Sequence, residues 1–234
     1  GSTVTPPPPH TSNYSGGDGS PGNPYKIANV ADFQQLTIDD PNWNKSFILT
    51  ANINLSGLTF TQAPIAPDTN TWWTFQGTPF TGIFDGDGHT ISNLTINAPT
   101  WGEYIGLFGD VGSGGQIKNL GVVNVNITGH IYVGGLVGLN DGGTLTDCNA
   151  TGSVIGNSII DDSGPVSYIY YPESVGGLVG SNSGPLTSCY ATGSVNGGRG
   201  AGGLVGDNYG PLTDCNATGS VSGAYWVGGL VGVN

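Results

Sequence analysis

Histidines, paired carboxylates and grouped thiols are what a catalytic or metal-binding site needs first, and this chain has few of each. Its three histidines, His10, His89 and His130, stand far apart in sequence. Asp85 and Asp87 would lie on one face of an extended segment, about 6–7 Å apart, and glycoside hydrolysis needs two carboxylates across a groove. Both, however, sit in the glycine turn Asp85-Gly-Asp-Gly-His89, where aspartate is favoured because its side chain bonds the local backbone. The same Asp-x-Asp-Gly string starts like a calcium loop, although the later ligands of a twelve-residue loop are missing. Asp85, Asp87, Asp161 and Asp162 are the calcium candidates. Cys148, Cys189 and Cys215 lack the paired spacing of a zinc site. No nucleophile elbow or phosphate-cradling glycine loop occurs. The sequence therefore assigns no catalytic residue. Two aromatic groups are the ligand-contact candidates: Trp72, Trp73 and Phe75 in a polar, proline-flanked stretch, and Tyr168, Tyr170 and Tyr171 in an insertion. Loop aromatics of this kind stack on sugars or make protein contacts.

The balance of charge narrows the partners. Sixteen acidic residues against four basic ones give a net charge of −12 in 234 residues. No basic patch can neutralise phosphates, so nucleic acid is not an expected partner. An anionic membrane surface is disfavoured for the same reason. No run of 18 apolar residues is present to span a bilayer. Low lysine with abundant Asn, Thr and Gly suits an extracellular or cell-surface setting.

The candidate residues must be positioned by a repeat. The string GGLVG starts at Gly134, Gly176, Gly202 and Gly228. Each of the first three copies is followed by a variant of L-T-D-C-N-A-T-G-S-V, at 145–154, 186–195 and 212–221. The last two intervals are 26 residues and the first is 42. Most of the excess lies in one block, so an insertion is read at 155–172. Short apolar runs between glycines and turn dipeptides indicate strands. A coil of three strands and about 26 residues cannot bury its apolar side alone, but stacked coils form a continuous core. Recurring positions then form ladders: Leu136, Leu178, Leu204 and Leu230 in one, Cys148, Cys189 and Cys215 in another. The thiols are expected to point inward as small apolar groups. The glycines are expected to serve positive φ and close coil-to-coil approach.

The first third differs. Residues 1–24 read as a flexible Pro/Ser/Gly-rich tail, and 25–79 as an N-terminal cap with the first β segments. Val30, Phe33 and Leu36 have helical spacing, with Asn29 placed to cap. Residues 80–234 form the solenoid, beginning with a diverged repeat around Gly106–Gly109.

The glycine-rich repeats, with the leader F-x-G-x-F-D-G-x-G-H-T-I at 80–91, resemble the GLUG repeats of bacterial surface and secreted proteins. These include segments of large adhesins and of some immunoglobulin-A-cleaving metallopeptidases. The resemblance covers about 25–234. It implies an all-β fold, a right-handed parallel β-helix, in a surface-associated module with no catalytic residues in this stretch. The expected role is cell-surface adhesion or assembly, with a cell-surface protein or a glycan as partner. The rivals are a carbohydrate-active β-helix enzyme or sugar-binding module, and a self-assembling filament or surface-layer protein. End-to-end self-association follows as an expectation, because a coil begun at Val227–Val231 is not completed.

Overall fold

A computed structural model describes residues 13–70, 74–161 and 167–234. It is a parallel β-helix. From Glu103 on, each coil is built of strands on four faces rather than three. In the coil after Gly129 they are Ile131–Gly134, Val137–Asp141, Thr144–Thr146 and Asn149–Gly156. Each joins its own parallel sheet, so the solenoid has four faces. Among the described residues, the first and second faces hold five strands each, the third seven and the fourth nine.

Register is kept by ladders of like residues. On the second face Val137 pairs with Val179, Val179 with Val205 and Val205 with Val231. On the third, the inward column begins with Tyr25, Phe47 and Phe84, continues through Ile117, and ends with Leu145, Leu186 and Leu212. The aromatic end is also stacked through space, with Phe80 and Phe84 each edge-on to Phe108 at 5.1 and 5.5 Å. Leu136, Leu178 and Leu204 are fully buried between the first and second faces, whereas Leu230, on the last rung, is 36% exposed. Cys148 and Cys189 are buried and Cys215 is half-buried; all three are free thiols. Each donates to a backbone carbonyl two residues before it, at 3.3 Å.

The GGLVG glycines have a single physical reason, and it is not left-handed backbone. None of the three in any copy has positive φ. A Cβ at Gly135, Gly177 or Gly203 would lie 2.5, 2.2 or 2.1 Å from the carbonyl oxygen of the next rung, far inside contact distance. Glycine here permits coils to approach. Left-handed geometry falls on other positions: Asn119, Asp147, Ser188 and Asp214 at the corner between the third and fourth faces, and Tyr104, Tyr132, Ser174, Gly200 and Trp226 within the first face.

A polar ladder also runs inside the second face. Asn140, Asn182 and Asn208 are buried and donate from Nδ2 to the Oδ1 of Asn182, Asn208 and Asn234 in turn. Each also donates to a backbone carbonyl, of Gly143, Gly184 and Gly210. The rung before Asn140 carries Val111 at this position, and Asn140 Oδ1 is left without a partner.

The cap is built as its apolar spacing requires. The helix Val30–Leu36 buries Phe33 and Leu36, and Asn29 Oδ1 accepts the Asp32 N–H at 3.0 Å. It covers the end of the core beside Tyr25–Ile27 and Ile53–Asn54. Stacking starts at Tyr25, earlier than the leader. Residues 13–24, assigned to the tail by composition, pack on this cap. Tyr14 is buried against Tyr25 and Phe47, its hydroxyl donates to Asp39 at 2.7 Å, and Ser15 donates to Asp32 at 2.6 Å. Residues 1–12 lie outside the described part.

Candidate ligand-binding groove

The insertion folds as an antiparallel hairpin, Ile159–Asp161 with Tyr168–Tyr170. It leaves the fourth face after Asn149–Gly156 and returns to the first at Glu173. Register survives it: Ile131 pairs with Glu173 across 42 residues, as Glu173 pairs with Arg199 across 26. The hairpin rises beside the first face and makes one wall of a groove of about 460 Å³, within the range of small-molecule sites. The opposite wall and floor come from four successive rungs, through Glu103, Ile131, Glu173 and Arg199.

The groove is aromatic with a polar row. Trp101 stands edge-on to Tyr170 at 5.4 Å and to His130 at 5.3 Å. Trp101 and Tyr170 are each 44% exposed, so ring surface is available to a ligand. Tyr171 meets Tyr225 edge-on at 5.9 Å, and the Arg199 guanidinium lies 5.8 Å from the Tyr225 ring centre. Arg199 also pairs with Glu173 at 3.6 Å, both half-exposed, a contact that contributes little to stability. Glu103 has no cation at hand: burial, and secondarily the Asp68 charge, push its carboxyl above the ordinary value. His130 is buried, and its Nδ1 lies 2.7 Å from the Asn157 carbonyl. A carbonyl only accepts, so Nδ1 is the donor in this contact.

The residues singled out by sequence fall in three places. Tyr170 and Tyr171 line the groove; Tyr168, on the same hairpin, is exposed. Phe75 packs edge-on to Tyr104 at 5.3 Å, in a separate row continued by Tyr132. Trp72, Trp73 and Asp162 lie outside the described residues, as does the side chain of Asp161. Asp85 is engaged already. Burial alone would raise its carboxyl, but hydrogen bonds from Asn119 and the Asp87 N–H, with the Lys118 ammonium at 3.0 Å, bring it below the ordinary value. Asp87 occupies the left-handed turn beside it. Among the described residues no three metal-ligating side chains converge. Sequence reasoning missed Trp101, Glu103, Glu173 and Arg199, and weighed His130 only as an isolated histidine. Their signal is the register itself: they become neighbours only when rungs of unequal length are laid side by side.

Four parallel faces, close glycine-mediated stacking and free inward thiols define a repeat-built β-helix bearing the GLUG motif, which matches at residues 129–155 and 171–196. Halomucin of Haloquadratum walsbyi is 36% identical over 172 residues, covering 70% of this chain and 2% of that protein. A protein of Evansella cellulosilytica, provisionally described as a Gly-rich membrane protein, is 33% identical over 134 residues, 55% of this chain and 15% of its own length. The chain thus spans a small part of either relative. A crystal structure of a candidate immunoglobulin A1 protease from Bacteroides ovatus superposes with a TM-score of 0.57, covering 91% of this chain and 71% of that one. At 20% identity that likeness is one of fold. No helix among the described residues is long and apolar enough to cross a membrane.

Proposed function

We propose that the chain is a non-catalytic, extracellular β-helix module that serves cell-surface adhesion or assembly. The observation that carries this reading is the hairpin between Gly156 and Pro172, two residues shorter at its start than the 155–172 read from sequence because Ile155 and Gly156 pair in the stack. It interrupts an otherwise regular stack without disturbing register and raises the exposed side chains of Ile160, Tyr168, Ile169 and Tyr170 from the surface. Repeat proteins place binding residues on such insertions. Likeness to a mucin-named protein and to a glycine-rich membrane protein supports a surface setting. The reading needs no cofactor; calcium at Asp85 and Asp87 would have to displace Lys118.

Displaying the chain on a non-adherent cell tests this. Adhesion to other cells is expected, and its loss on removal of 157–171, which spares the paired Ile155 and Gly156, with the circular dichroism spectrum retained. Absence of adhesion in the intact protein overturns the reading. Release of reducing ends from polysaccharides would instead favour the enzyme alternative.

A further inference from the structure

The groove beside the hairpin carries a more specific reading, which rests on the binding role proposed above. We propose that it is a binding site for a neutral glycan, with a pyranose ring stacked on Trp101 and Tyr170 and its hydroxyls bonded by Glu103, Glu173 and Arg199.

Three features select this occupant. The first is the pairing of ring surface with a polar row. Trp101 and Tyr170 present half-exposed rings at one mouth of the groove, 5.4 Å apart and inclined at 65°. The apolar face of a sugar ring covers such surface while its edge carries hydroxyls. The polar row supplies partners for that edge. Glu103, Glu173 and Arg199 lie on one register column of the first face, with Ile131 between the two glutamates. Neighbouring rungs are about 4.8 Å apart, so Glu173 and Arg199 offer an acceptor and a planar donor fork on adjacent rungs, with the Glu103 acceptor two rungs from Glu173.

Charge is the second feature. The groove holds two carboxylates and one guanidinium, on a protein of net charge −12. A uronate or sialate would be repelled. Arg199 is shared with Glu173 and the Tyr225 ring, so no cation is free to receive an anionic sugar. A cationic ligand is disfavoured as well. The guanidinium already occupies the aromatic position beside Glu173.

The third is backbone. A peptide recognised by strand addition needs an unpaired sheet edge. Three of the four first-face strands in the groove pair with rungs on both sides: Ile131–Gly134, Glu173–Gly176 and Arg199–Gly202; Glu103–Ile105 ends the sheet. Recognition along the three paired rungs falls to side chains.

The test is an array carrying neutral hexose and N-acetylhexosamine oligosaccharides beside sialylated and uronate-containing ones, followed by titration of the best neutral probe monitored by saturation-transfer NMR. Binding of neutral probes is expected, weakened at least tenfold in Trp101→Ala and in Arg199→Ala. If either variant loses its fold, Trp101→Phe and Glu173→Gln take its place, with the same expectation of weaker binding at unchanged melting temperature. No binding at millimolar probe, binding of acidic glycans only, or unchanged binding in the folded variants overturns the assignment. Cell adhesion retained without glycan binding defeats this inference alone. Glycan binding without adhesion defeats the wider functional reading and leaves the groove.

Discussion

The side-chain amide of Asn182 donates to the side-chain carbonyl of Asn208 at 2.9 Å, one rung on, while it accepts from Asn140 at 2.7 Å. It also donates to Gly184. Asn182 is fully buried, so each of these bonds replaces one that water cannot supply. Replacing Asn182 by Leu removes them and leaves Asn140 Nδ2 and Asn208 lacking a neighbour on that side. A buried polar group stranded in this way costs about 1–3 kcal/mol. The expected result is a lower denaturation midpoint at unchanged m-value, read by urea titration. An unchanged midpoint would show the ladder to be energetically idle.

The motif glycines give a contrast within one chain. Gly177 faces the Gly203 carbonyl, which a Cβ would meet at 2.2 Å, whereas Gly229, at the same motif position, has nothing within 4 Å. Gly177→Ala should force two rungs apart and lower the melting temperature sharply; Gly229→Ala should be tolerated in this 234-residue chain. Equal melting temperatures for the two variants would remove close approach as the reason for the repeat.

Leu204 is fully buried between the first and second faces. Leu204→Asp places a carboxylate there with no partner, which costs several kcal/mol or forces protonation. Loss of the cooperative thermal transition by circular dichroism is expected. A melting temperature equal to that of the parent would refute the inward register.

Asp110 is 5% exposed, its Oδ1 has no partner, and desolvation, aided by Asp141, pushes its carboxyl up to about 7. A carboxyl raised in the folded state favours folding when protonated. Its contribution is complete below the ordinary carboxylate range near 3.8 and is lost as pH rises through about 7. Asp207, raised by the same cause, acts in the same direction. Stability should therefore fall between pH 4 and 8, and fall less in Asp110→Asn. Parallel pH profiles for parent and variant would count against a buried ionisable Asp110.

Thiol accessibility should grade along the stack. Cys148 and Cys189 are fully buried, whereas Cys215 is only half-covered. Burial pushes the Cys215 thiol up, which slows it without shielding it. Alkylation followed by mass spectrometry should mark Cys215 first, and the other two only on unfolding. Native labelling of Cys189 as fast as Cys215 would place the column outside the core.

The stacked fold was legible because identical strings recur at identical positions. Leu136, Leu178 and Leu204, or Cys148 and Cys189, announce inward columns before any coordinates exist. The fourth strand of each coil was not legible. On the first face, left-handed residues such as Tyr132 and Ser174 break simple alternation between Ile131 and Val133 or Glu173 and Val175, so the stretch lacks the pattern by which strands are recognised. The asparagine ladder did have a signal, since Asn140, Asn182, Asn208 and Asn234 follow the four GGLVG copies at one offset. The groove had almost none. Trp101 and Tyr170 are 69 residues apart and meet only through the register of the rungs between them.

That register makes the hairpin separable from what holds the molecule together. Gly156 and Glu173 must reach the same corner whatever chain runs between them, because Ile131 and Arg199 fix their rung from either side. Length and sequence between these anchors are therefore nearly free of the folding constraint that binds every GGLVG. Selection can rewrite one wall of the groove, and with it the ligand, at little cost to the stack. An experimenter can do the same, grafting loops at 157–171 onto a frame that already orients Trp101 and Arg199 toward them.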